Sequence, residues 1–512
     1  MEAKVNISTI KELWSWRLSI SKNATFLIED GQKYTYKDVA DLVNKQIKLL
    51  KNNGVNSGDL VALQFELDLE NVVTILACIE LGAVINPLNP HLDTDEVKNL
   101  ITKFKPMVII SQKSVRGRDT ISNYTNLGHY EAKTIQDLKF FVRSPRIASP
   151  FSNENGPNAA AIVLNTSGTS GLPKGVVLTN QNILSAELSY NQAFGINKND
   201  MSLLLSGMYH AIGFHHGLIS TLIAGSQLVI TKRYDIEKVA ELIKRMPITF
   251  IDSLPTIMYD LLFKVSDLGH LRQLICGGDK IKNNILNKAR ERHIPLYNCY
   301  GLTEAVPFSY TPQSYYRKKQ GMTTAVTAMK GVKIRIVENH QVIQKHGIQG
   351  VIEVSGPIIF REYLDNPQKT VDSFDSEWFI TGDIGHYNDD DLLEIDSRSS
   401  DKIIRGGENI SAHMVEDKIK NCQNVSEVAV LGVPDVRLGQ RIGAFIVLNK
   451  NEQILKKDDL ISELKSHKVD KKLWPEKLWI VDSLPKTANG KIKKYLLKNW
   501  LEGKKINEKQ IF

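Results

Sequence analysis

The residues best suited to chemistry lie in a loop rich in glycine and hydroxyl side chains, residues 166–175, with the sequence TSGTSGLPKG. Such a loop can direct backbone N–H groups and hydroxyls toward an anion, and Lys174 adds a positive charge. Gly168 and Gly171 permit positive φ angles and a close approach of the backbone to a ligand. The pattern differs from the G-x-x-x-x-G-K-[ST] loop, because two residues separate the second glycine from the lysine. The sequence therefore predicts a phosphate-binding loop, with a flexible serine- and glycine-rich connector as the alternative.

Four more short motifs follow this loop along the chain. They are YGLTE at 300–304, TGD at 381–383, Arg398 followed by GGENI at 406–410, and PKTANGK at 485–491. Together with the loop, and in this order, they resemble the adenylate-forming superfamily, which contains acyl- and aryl-CoA synthetases, peptide-synthetase adenylation domains and firefly luciferase. Weaker similarities at Gly58, Asp59 and residues 82–87 extend the resemblance over nearly the whole chain.

The resemblance implies an enzyme that joins a carboxylate to the α-phosphate of ATP and expels pyrophosphate. Because an anion must meet a polyanion, the protein has to neutralise charge, align the reactants and stabilise the leaving group. We expect a stand-alone acyl-CoA synthetase that uses ATP, Mg²⁺ and coenzyme A to convert a fatty or similar organic acid into its CoA thioester. The nearest alternative is an adenylating enzyme that loads an acyl or peptidyl carrier protein, although no fused carrier domain is evident. A luciferase, and a basic nucleotide- or RNA-binding protein without catalysis, are more distant alternatives.

The resemblance also assigns the nucleotide contacts. Tyr300 is expected to stack on adenine, Thr303 to contact the α-phosphate, and Glu304 to hold Mg²⁺, which prefers hard oxygen ligands. The alternatives are a core position for Tyr300 and a solvated one for Glu304. The remaining residues expected to bind the nucleotide are Thr166, Ser167, Gly168, Thr169, Ser170, Gly171 and Lys174 at the phosphates, Gly277, Gly278, Asp279, Asn298 and Gly301 near the base, and Asp383 and Arg398 at the ribose. For Asp383, a turn-forming role is the alternative.

The C-terminal motifs are expected to serve both half-reactions. The resemblance places Lys491 over the forming acyl-phosphate, whereas the lysines that follow it are expected to be solvated. Gly406 and Gly407 are expected to approach the path of the CoA thiol, with a helix-capping or turn role as the alternative. The hinge between the two domains falls on Ser400, where Asp or Lys is commoner in the family, so its behaviour is not predicted.

The acyl pocket has the weakest sequence signal. Residues 208–210, Met-Tyr-His, resemble the segment that borders the carboxylate, and His210 is the expected catalytic member. A core position for His210 is the alternative, and His215 and His216 are nearby rivals. Gly213, Phe214 and residues 253–255 are further lining candidates, and nothing in them predicts the chain length or aromatic character of the acid.

Apolar β-rich runs alternate with amphipathic segments and must position these motifs. Strands are predicted at 59–65, 159–165, 271–278 and 350–356, and helices near 69–82 and 180–193. This alternation is typical of an α/β fold with parallel sheet. The charged stretch 396–402 predicts a boundary between a large N-terminal domain of layered sheets and helices, residues 1–399, and a small mobile α+β domain, residues 400–512.

Composition limits the class of protein and the compartment in which it is expected. With 42% hydrophobic and 24% charged residues, the 512-residue chain is an ordinary globular protein of several domains. Its four cysteines lie far apart without a CxxC pair, which argues against a disulfide framework or a zinc site and favours a reducing compartment. No signal peptide or spanning segment is apparent, so we expect a cytoplasmic protein that binds no nucleic acid, with peripheral membrane contact left open.

The excess positive charge is concentrated in the C-terminal part. Residues 400–512 carry 22 Lys and Arg against 15 Asp and Glu, a net of +7, whereas residues 1–399 carry 43 against 42. This distribution argues against a protein that binds nucleic acid over most of its surface. We expect a basic lid that attracts the phosphates of ATP and CoA, with ordinary surface solubility as the alternative.

Overall fold

The computed structural model describes residues 7–501, apart from 91, 93, 116–117, 121–123, 125–126, 136, 152–153, 167–173, 280, 339–340, 399–401, 450–456, 486–491 and 493. The chain divides into two compact units, and the change from the first to the second falls between Ser397 and Arg398. The described helices and strands are given next in chain order.

The helices are α1 Ile10–Ser21, α2 Tyr36–Asn52, α3 Leu69–Leu81, α4 Thr94–Phe104, α5 Asn180–Phe194, α6 Ser220–Ala224, α7 Ile236–Arg245, α8 Pro255–Lys264, α9 Asn283–Glu291, α10 Gln313–Lys318, α11 Pro367–Val371, α12 Ala412–Lys420, α13 Lys457–Ser466 and α14 Lys494–Leu501. A π-helix covers Ile212–Ile219 and a 3₁₀ turn covers Lys471–Leu473.

The strands are β1 Thr25–Glu29, β2 Gln32–Thr35, β3 Leu60–Gln64, β4 Val84–Pro87, β5 Val108–Gln112, β6 Ser114–Val115, β7 Arg118–Asp119, β8 Tyr130–Ile135, β9 Leu138–Arg143, β10 Ala160–Thr166, β11 Lys174–Thr179, β12 Met201–Leu204, β13 Gln227–Ile230, β14 Phe250–Ser253, β15 Gln273–Cys276, β16 Leu296–Leu302, β17 Ala305–Tyr310, β18 Thr327–Ala328, β19 Lys333–Glu338, β20 Gln341–Val342, β21 Gly350–Ser355, β22 Glu362–Tyr363, β23 Phe374–Asp375, β24 Trp378–Tyr387, β25 Leu393–Arg398, β26 Lys402–Arg405, β27 Glu408–Ser411, β28 Val425–Asp435, β29 Gly439–Leu448 and β30 Lys477–Ile480.

The largest sheet of the first unit has the strand order β18-β17-β16-β15-β14-β12-β13-β1-β2 within the described residues. Its centre is parallel, from β1 through β13, β12, β14 and β15 to β16. Buried apolar side chains such as those of β12 and β15 fit a sheet covered on both faces. The parallel arrangement aligns the carboxyl ends of these strands along one edge.

A second sheet of this unit has the order β22-β11-β10-β4-β3-β5-β9-β8. Its centre is also parallel, from β10 through β4 and β3 to β5. Helix α3 connects β3 with β4 and is buried along most of its length. Its N-cap Asp68 accepts a hydrogen bond from the Asn71 N–H, and it ends at Gly82 in the left-handed region, φ 71°.

The helix after the predicted phosphate loop begins and ends by the same rules. The Thr179 side chain accepts a hydrogen bond from the Asn182 N–H at the start of α5, and Gly195 with φ 63° ends it. Every strand and helix predicted from the sequence is confirmed in type and approximate position. In the part of the chain that the structure describes, no helix is long and apolar enough to cross a membrane.

The remaining sheets are antiparallel or mixed. In the first unit, β20, β19, β21, β24 and β23 follow one another in a sheet to which β25 is added beside β24. In the second unit, β27, β26, β29 and β28 form an antiparallel sheet, and β30 pairs parallel to β29. Helices α12 and α13 cover this sheet through a core that includes Val415, Ile419, Leu460 and Leu464.

Candidate active site

Several predicted site residues lie where the parallel strands of the largest sheet end. Ser253 pairs with Cys276 across β14 and β15, and Cys276 pairs with Asn298 across β15 and β16. Ligands of parallel α/β sheets bind at this carboxyl edge. The chain therefore brings Gly277, which follows Cys276 directly, beside Asn298.

The glycines after β15 are required by their surroundings. A Cβ on Gly277 would lie 2.7 Å from the carbonyl oxygen of Cys299, and Gly278 has φ +82°. Asp279 follows and is partly exposed. These positions are consistent with close backbone approach to a flat ligand, but the packing alone already explains why glycine is present.

Tyr300 and Asp383 form a direct contact. The Tyr300 hydroxyl donates to Oδ2 of Asp383 at 2.7 Å, and the ring of Tyr300 packs edge-on against Phe308 at 4.6 Å between centroids. Asp383 is only 3% exposed, and its N–H donates to Oγ1 of Thr381 at 3.0 Å. The TGD segment lies within strand β24 rather than in a free turn, although Gly382 has φ 73°. Two residues predicted to contact adenosine are thus held together.

Asn298 is more constrained than the sequence indicated. It is 8% exposed, and its Nδ2 donates to the carbonyl oxygen of Thr324 at 2.7 Å. That bond fixes the plane of the amide, which leaves one N–H and the carbonyl oxygen for other partners. Gly301, three residues further along β16, is tightly packed, because a Cβ would lie 3.0 Å from the carbonyl oxygen of Ala305.

Glu304 lies in the turn between β16 and β17, next to Thr303, and is held by a residue that the sequence did not indicate. The Tyr363 hydroxyl donates to Oε1 of Glu304 at 2.7 Å. The backbone N–H of Phe360 donates to the Glu304 carbonyl oxygen at 2.8 Å. Burial and the neighbouring Glu304 carboxylate raise the pKa of Tyr363, so it stays protonated and remains a donor. No motif spacing pointed to Tyr363.

Lys174 lies beside the same tyrosine. Its Nζ is 5.0 Å from the centre of the Tyr363 ring, a cation–π distance. Burial lowers the pKa of Lys174, and Glu304 opposes that shift, whereas the positive charges of Lys369 and Lys103 add to it. Three lysines and the Glu304 carboxylate therefore lie in one partly buried region. Such a group of charges could bind an anion together with its metal cation.

The ends of the predicted phosphate loop are held in register. Thr166, the last residue of β10, pairs with Lys174, the first residue of β11. Next to this pair, a Cβ on Gly175 would lie 2.9 Å from Val163 and 3.0 Å from Phe104, so the hairpin needs glycine there. Other predicted site residues lie outside the described part: Ser167, Gly168, Thr169, Ser170, Gly171 and Lys491, together with hinge residue Ser400 and the side chain of Arg398.

The three histidines near the predicted acyl pocket have different surroundings. His210 is exposed, with its ring 4.4 Å from that of Tyr209, so it is not a core histidine. His215 and His216 are buried and approach Glu187, with Nδ1 to carboxylate oxygen distances of 3.3 and 3.2 Å. Their burial removes them as rivals to His210 for an accessible role.

A buried polar network lies around Glu187. Burial opposes ionisation of Glu187, but His216 and His215 outweigh it and lower its pKa. Burial raises the pKa of Asp252 to about 6, and the Tyr190 hydroxyl donates to its Oδ2 at 2.6 Å. The ring of Tyr190 also stacks on His216 at 4.2 Å. The sequence did contain a signal, because Glu187 falls on the apolar face of α5.

In the second unit, Gly406 and Gly407 form the turn of a hairpin. Arg405 pairs with Glu408, and the two glycines between them have φ 60° and 80°. Two successive positive φ angles define a turn that favours glycine strongly. The turn role, which the sequence left as the alternative, is therefore present in the structure.

Comparison with known proteins identifies the class. A sequence profile of the AMP-binding enzyme family matches residues 15–364, and a profile of the AMP-binding enzyme C-terminal domain matches residues 414–491. The chain therefore belongs to the AMP-binding enzyme family, which confirms the predicted superfamily. It is an enzyme of the AMP-forming acid–CoA ligase type.

Individual relatives cover nearly the whole chain. It is 29% identical over 498 residues to medium-chain fatty-acid–CoA ligase of Escherichia coli strain K12, covering 91% of this chain and 86% of that protein. It is 30% identical over 493 residues to 2-succinylbenzoate–CoA ligase of Listeria monocytogenes serotype 4b, covering 94% and 97%.

Solved structures show the same fold. A double mutant of o-succinylbenzoate CoA synthetase from Bacillus subtilis superimposes with a TM-score of 0.81 at 24% identity, covering 95% of this chain and 98% of that one. Amide bond synthetase McbA from Marinactinospora thermotolerans superimposes with a TM-score of 0.82 at 22% identity, covering 95% and 99%. The predicted α/β fold with a large N-terminal and a small C-terminal domain is confirmed.

Proposed function

We propose that this enzyme converts a fatty acid into its CoA thioester in two steps, by way of an acyl-adenylate. The observation that carries the proposal is that one strand and its turn hold Tyr300 and Glu304, which contact Asp383 and Tyr363 respectively. Lys174 lies over Tyr363. The pair proposed to contact adenosine and the group proposed to contact the phosphates and Mg²⁺ are thereby linked through Tyr300 and Glu304, which are four positions apart in the chain.

In the first step, the carboxylate oxygen of the acid bonds to the α-phosphorus of ATP, and the bond between the α- and β-phosphates breaks to release pyrophosphate. Lys174 and the loop 166–175 would neutralise the β- and γ-phosphates, Thr303 would donate to the α-phosphate, and Asp383 and Arg398 would hold the ribose. Gly277, Gly278 and Asn298 would border the base. Positioning and charge neutralisation are the main sources of catalysis in such a transfer.

Glu304 is suited to hold Mg²⁺. Its Oε1 accepts the Tyr363 hydroxyl, which orients the carboxylate and leaves Oε2 as a hard oxygen ligand for the ion. Mg²⁺ held by Glu304 would neutralise part of the charge on the leaving pyrophosphate. Tyr363 is thus a positioning residue in this proposal, because it acts through Glu304.

In the second step, the CoA thiolate bonds to the acyl carbonyl carbon, and AMP leaves with the electrons of the acyl–phosphate bond. We assign Lys491 to adenylate formation, and Gly406 and Gly407 to the thiol path. We also assign residues 1–399 to the nucleotide and acyl domain, and residues 400–512 to a mobile basic lid. His210, exposed after β12, would border the carboxylate of the acid.

Support for a fatty acid comes from the similarity to a medium-chain fatty-acid–CoA ligase, while the 2-succinylbenzoate–CoA ligases indicate an aromatic dicarboxylate as the competing substrate. We also assign the enzyme to the cytoplasm. The four cysteines are buried and none forms a disulfide in the described part of the chain, which fits a reducing compartment.

The test is AMP release with short, medium, long-chain and aromatic acids, with either CoA or a holo-carrier protein as the acceptor. The proposal predicts highest kcat/KM with an aliphatic acid and thioester formation on CoA. Preference for an aromatic acid would refute the substrate class, and exclusive use of the carrier protein would refute the acceptor. Absence of carboxylate-dependent ATP–pyrophosphate exchange with every acid would refute adenylation itself.

A further inference from the structure

A cysteine, a glutamate and a histidine of the second unit lie together near the ends of two helices. Cys422 follows α12, Glu463 lies in α13 and His467 follows α13. Each offers one ligand atom, and the sulfur, carboxylate oxygen and ring nitrogen all lie within 4.8 Å of one another. Tetrahedral ligands of Zn²⁺, at about 2.0–2.3 Å from the ion, lie roughly 3.5 Å apart, so small side-chain rotations complete the set. We propose that Cys422, Glu463 and His467 form a binding site for Zn²⁺.

The backbone explains why the three residues converge. The His467 N–H donates to the Glu463 carbonyl oxygen at 3.0 Å, so the helical turn continues past the end of α13. Residues four apart in a helix lie on one face, which directs Glu463 and His467 to the same side. Cys422 comes from the other helix, where its N–H donates to the Ile419 carbonyl oxygen at 2.9 Å.

A neighbouring backbone group already orients the carboxylate. The Gln423 N–H donates to Oε1 of Glu463 at 2.6 Å, which connects the two segments and leaves Oε2 available to the metal ion. A fixed partner on the second oxygen is typical of metal-binding carboxylates. The Cys422 thiol donates to the Lys418 carbonyl oxygen at 3.6 Å, a weak contact that a thiolate bound to a metal would give up.

The ligand set selects the type of ion. A thiolate with an imidazole nitrogen and a carboxylate oxygen favours Zn²⁺ or its probe Co²⁺ over Mg²⁺ or Ca²⁺, which prefer oxygen ligands alone. Cys422 is 5% exposed within the core formed with Ile419 and Leu464, whereas His467 is exposed. The ion would therefore enter from the histidine side, and water would supply a fourth ligand.

Cysteine spacing argued against a zinc site, because it tests only for pairs of nearby cysteines. Here the partners of Cys422 come from a helix about forty residues further along the chain. Bound Zn²⁺ would connect α12 to α13 and stabilise the second unit, since an ion that binds only the folded state shifts unfolding by mass action. The site is independent of the nucleotide residues, so it stands whether or not the proposed substrate is correct.

The test uses the full chain, stripped with a chelator and titrated with Co²⁺. The expected result is one equivalent bound, with a thiolate-to-cobalt charge-transfer band, tetrahedral d–d bands in the visible region and displacement by Zn²⁺. Zn²⁺ alone should raise the thermal unfolding midpoint. The Cys422→Ser variant should lose the charge-transfer band, and His467→Gln should weaken Co²⁺ affinity at least about tenfold, since even loss of an outer-shell partner costs that much.

Two control variants carry the same chemical changes elsewhere. Cys78→Ser alters a buried cysteine of α3, and His270→Gln alters an exposed histidine, so both should bind Co²⁺ as the unchanged chain does. His467→Gln changes an exposed side chain and keeps the test valid if Cys422→Ser folds poorly. The proposal is overturned if the unchanged chain shows no charge-transfer band, if Cys422→Ser retains it, or if His467→Gln binds with undiminished affinity.

Discussion

Replacement of Tyr363 by phenylalanine tests the positioning of Glu304 most directly. The change removes only the hydroxyl that donates to Oε1 of Glu304 at 2.7 Å and keeps the aromatic ring beside Lys174. A hydrogen bond to a charged group contributes about 1.5–3 kcal/mol. If that bond fixes Glu304 for Mg²⁺, its loss should lower kcat/KM for adenylation by about 10- to 150-fold, at about 1.4 kcal/mol per factor of ten.

The assay is carboxylate-dependent ATP–pyrophosphate exchange, measured over a range of Mg²⁺ concentrations. Tyr363→Phe should need more Mg²⁺ for half-maximal exchange, which a purely structural role would not produce. Tyr259→Phe, which removes a hydroxyl from α8, is the matched control and should leave both quantities unchanged. Less than a twofold loss of kcat/KM for Tyr363→Phe, or an unaltered Mg²⁺ dependence, would refute the role of this contact.

Three further predictions concern other parts of the chain. Lys491→Ala should slow adenylate formation greatly but largely spare thioester formation from preformed acyl-adenylate; equal losses in the two separately assayed half-reactions would contradict its assignment. Tyr300→Phe removes the hydroxyl that donates to Asp383 at 2.7 Å. The change should raise the KM for ATP about tenfold, as expected for the loss of one charged hydrogen bond, with a smaller change in kcat. An unchanged KM would contradict the adenosine assignment. Burial raises the pKa of Asp252 from 3.8 to about 6. Between these pH values the folded state keeps a proton that the unfolded state releases. The contribution of Asp252 to the free energy of unfolding therefore falls by about 3 kcal/mol as the pH rises from about 4 to 6. The free energy of unfolding of Asp252→Asn, measured with denaturant, should therefore not show that fall between pH 4 and 6. Parallel pH profiles for the variant and the unchanged chain would contradict this assignment to Asp252.

The sequence predicted those parts of the site that depend on strand ends. Gly277 follows a short apolar run, and the parallel pairing of such runs brings it beside Asn298. The Tyr300–Asp383 pair was predicted as two separate ribose and base contacts, because each residue falls in a recognisable motif. Their hydrogen bond was not predicted, because neither motif indicates how the two sheets that carry these residues pack against each other.

Contacts made by tertiary packing had no sequence signal. Tyr363 donates to Glu304, which is 59 positions away in the sequence. Tyr363 is brought to the site because its strand β22 pairs with β11, the strand that begins at Lys174. The contact of His215 and His216 with Glu187 likewise depends on packing: the apolar face of α5 indicates that Glu187 is buried, but not that the two imidazoles face it. The same limitation concealed the convergence of Cys422 with α13.

The position of Tyr300 and Glu304 on one strand and its turn has a mechanical consequence. Gly301 between them packs closely on the Ala305 carbonyl, where a Cβ would lie 3.0 Å from the oxygen, and the Phe360 N–H donates to the Glu304 carbonyl oxygen. The strand cannot shift at one end without moving the other. The distance between Tyr300, the proposed adenine contact, and Glu304, the proposed Mg²⁺ ligand, is therefore set mainly by backbone geometry. Reactions that depend on in-line alignment of an anion with the α-phosphate gain most from such fixed spacing, because misplacement of about 1 Å can cost on the order of a hundredfold in rate.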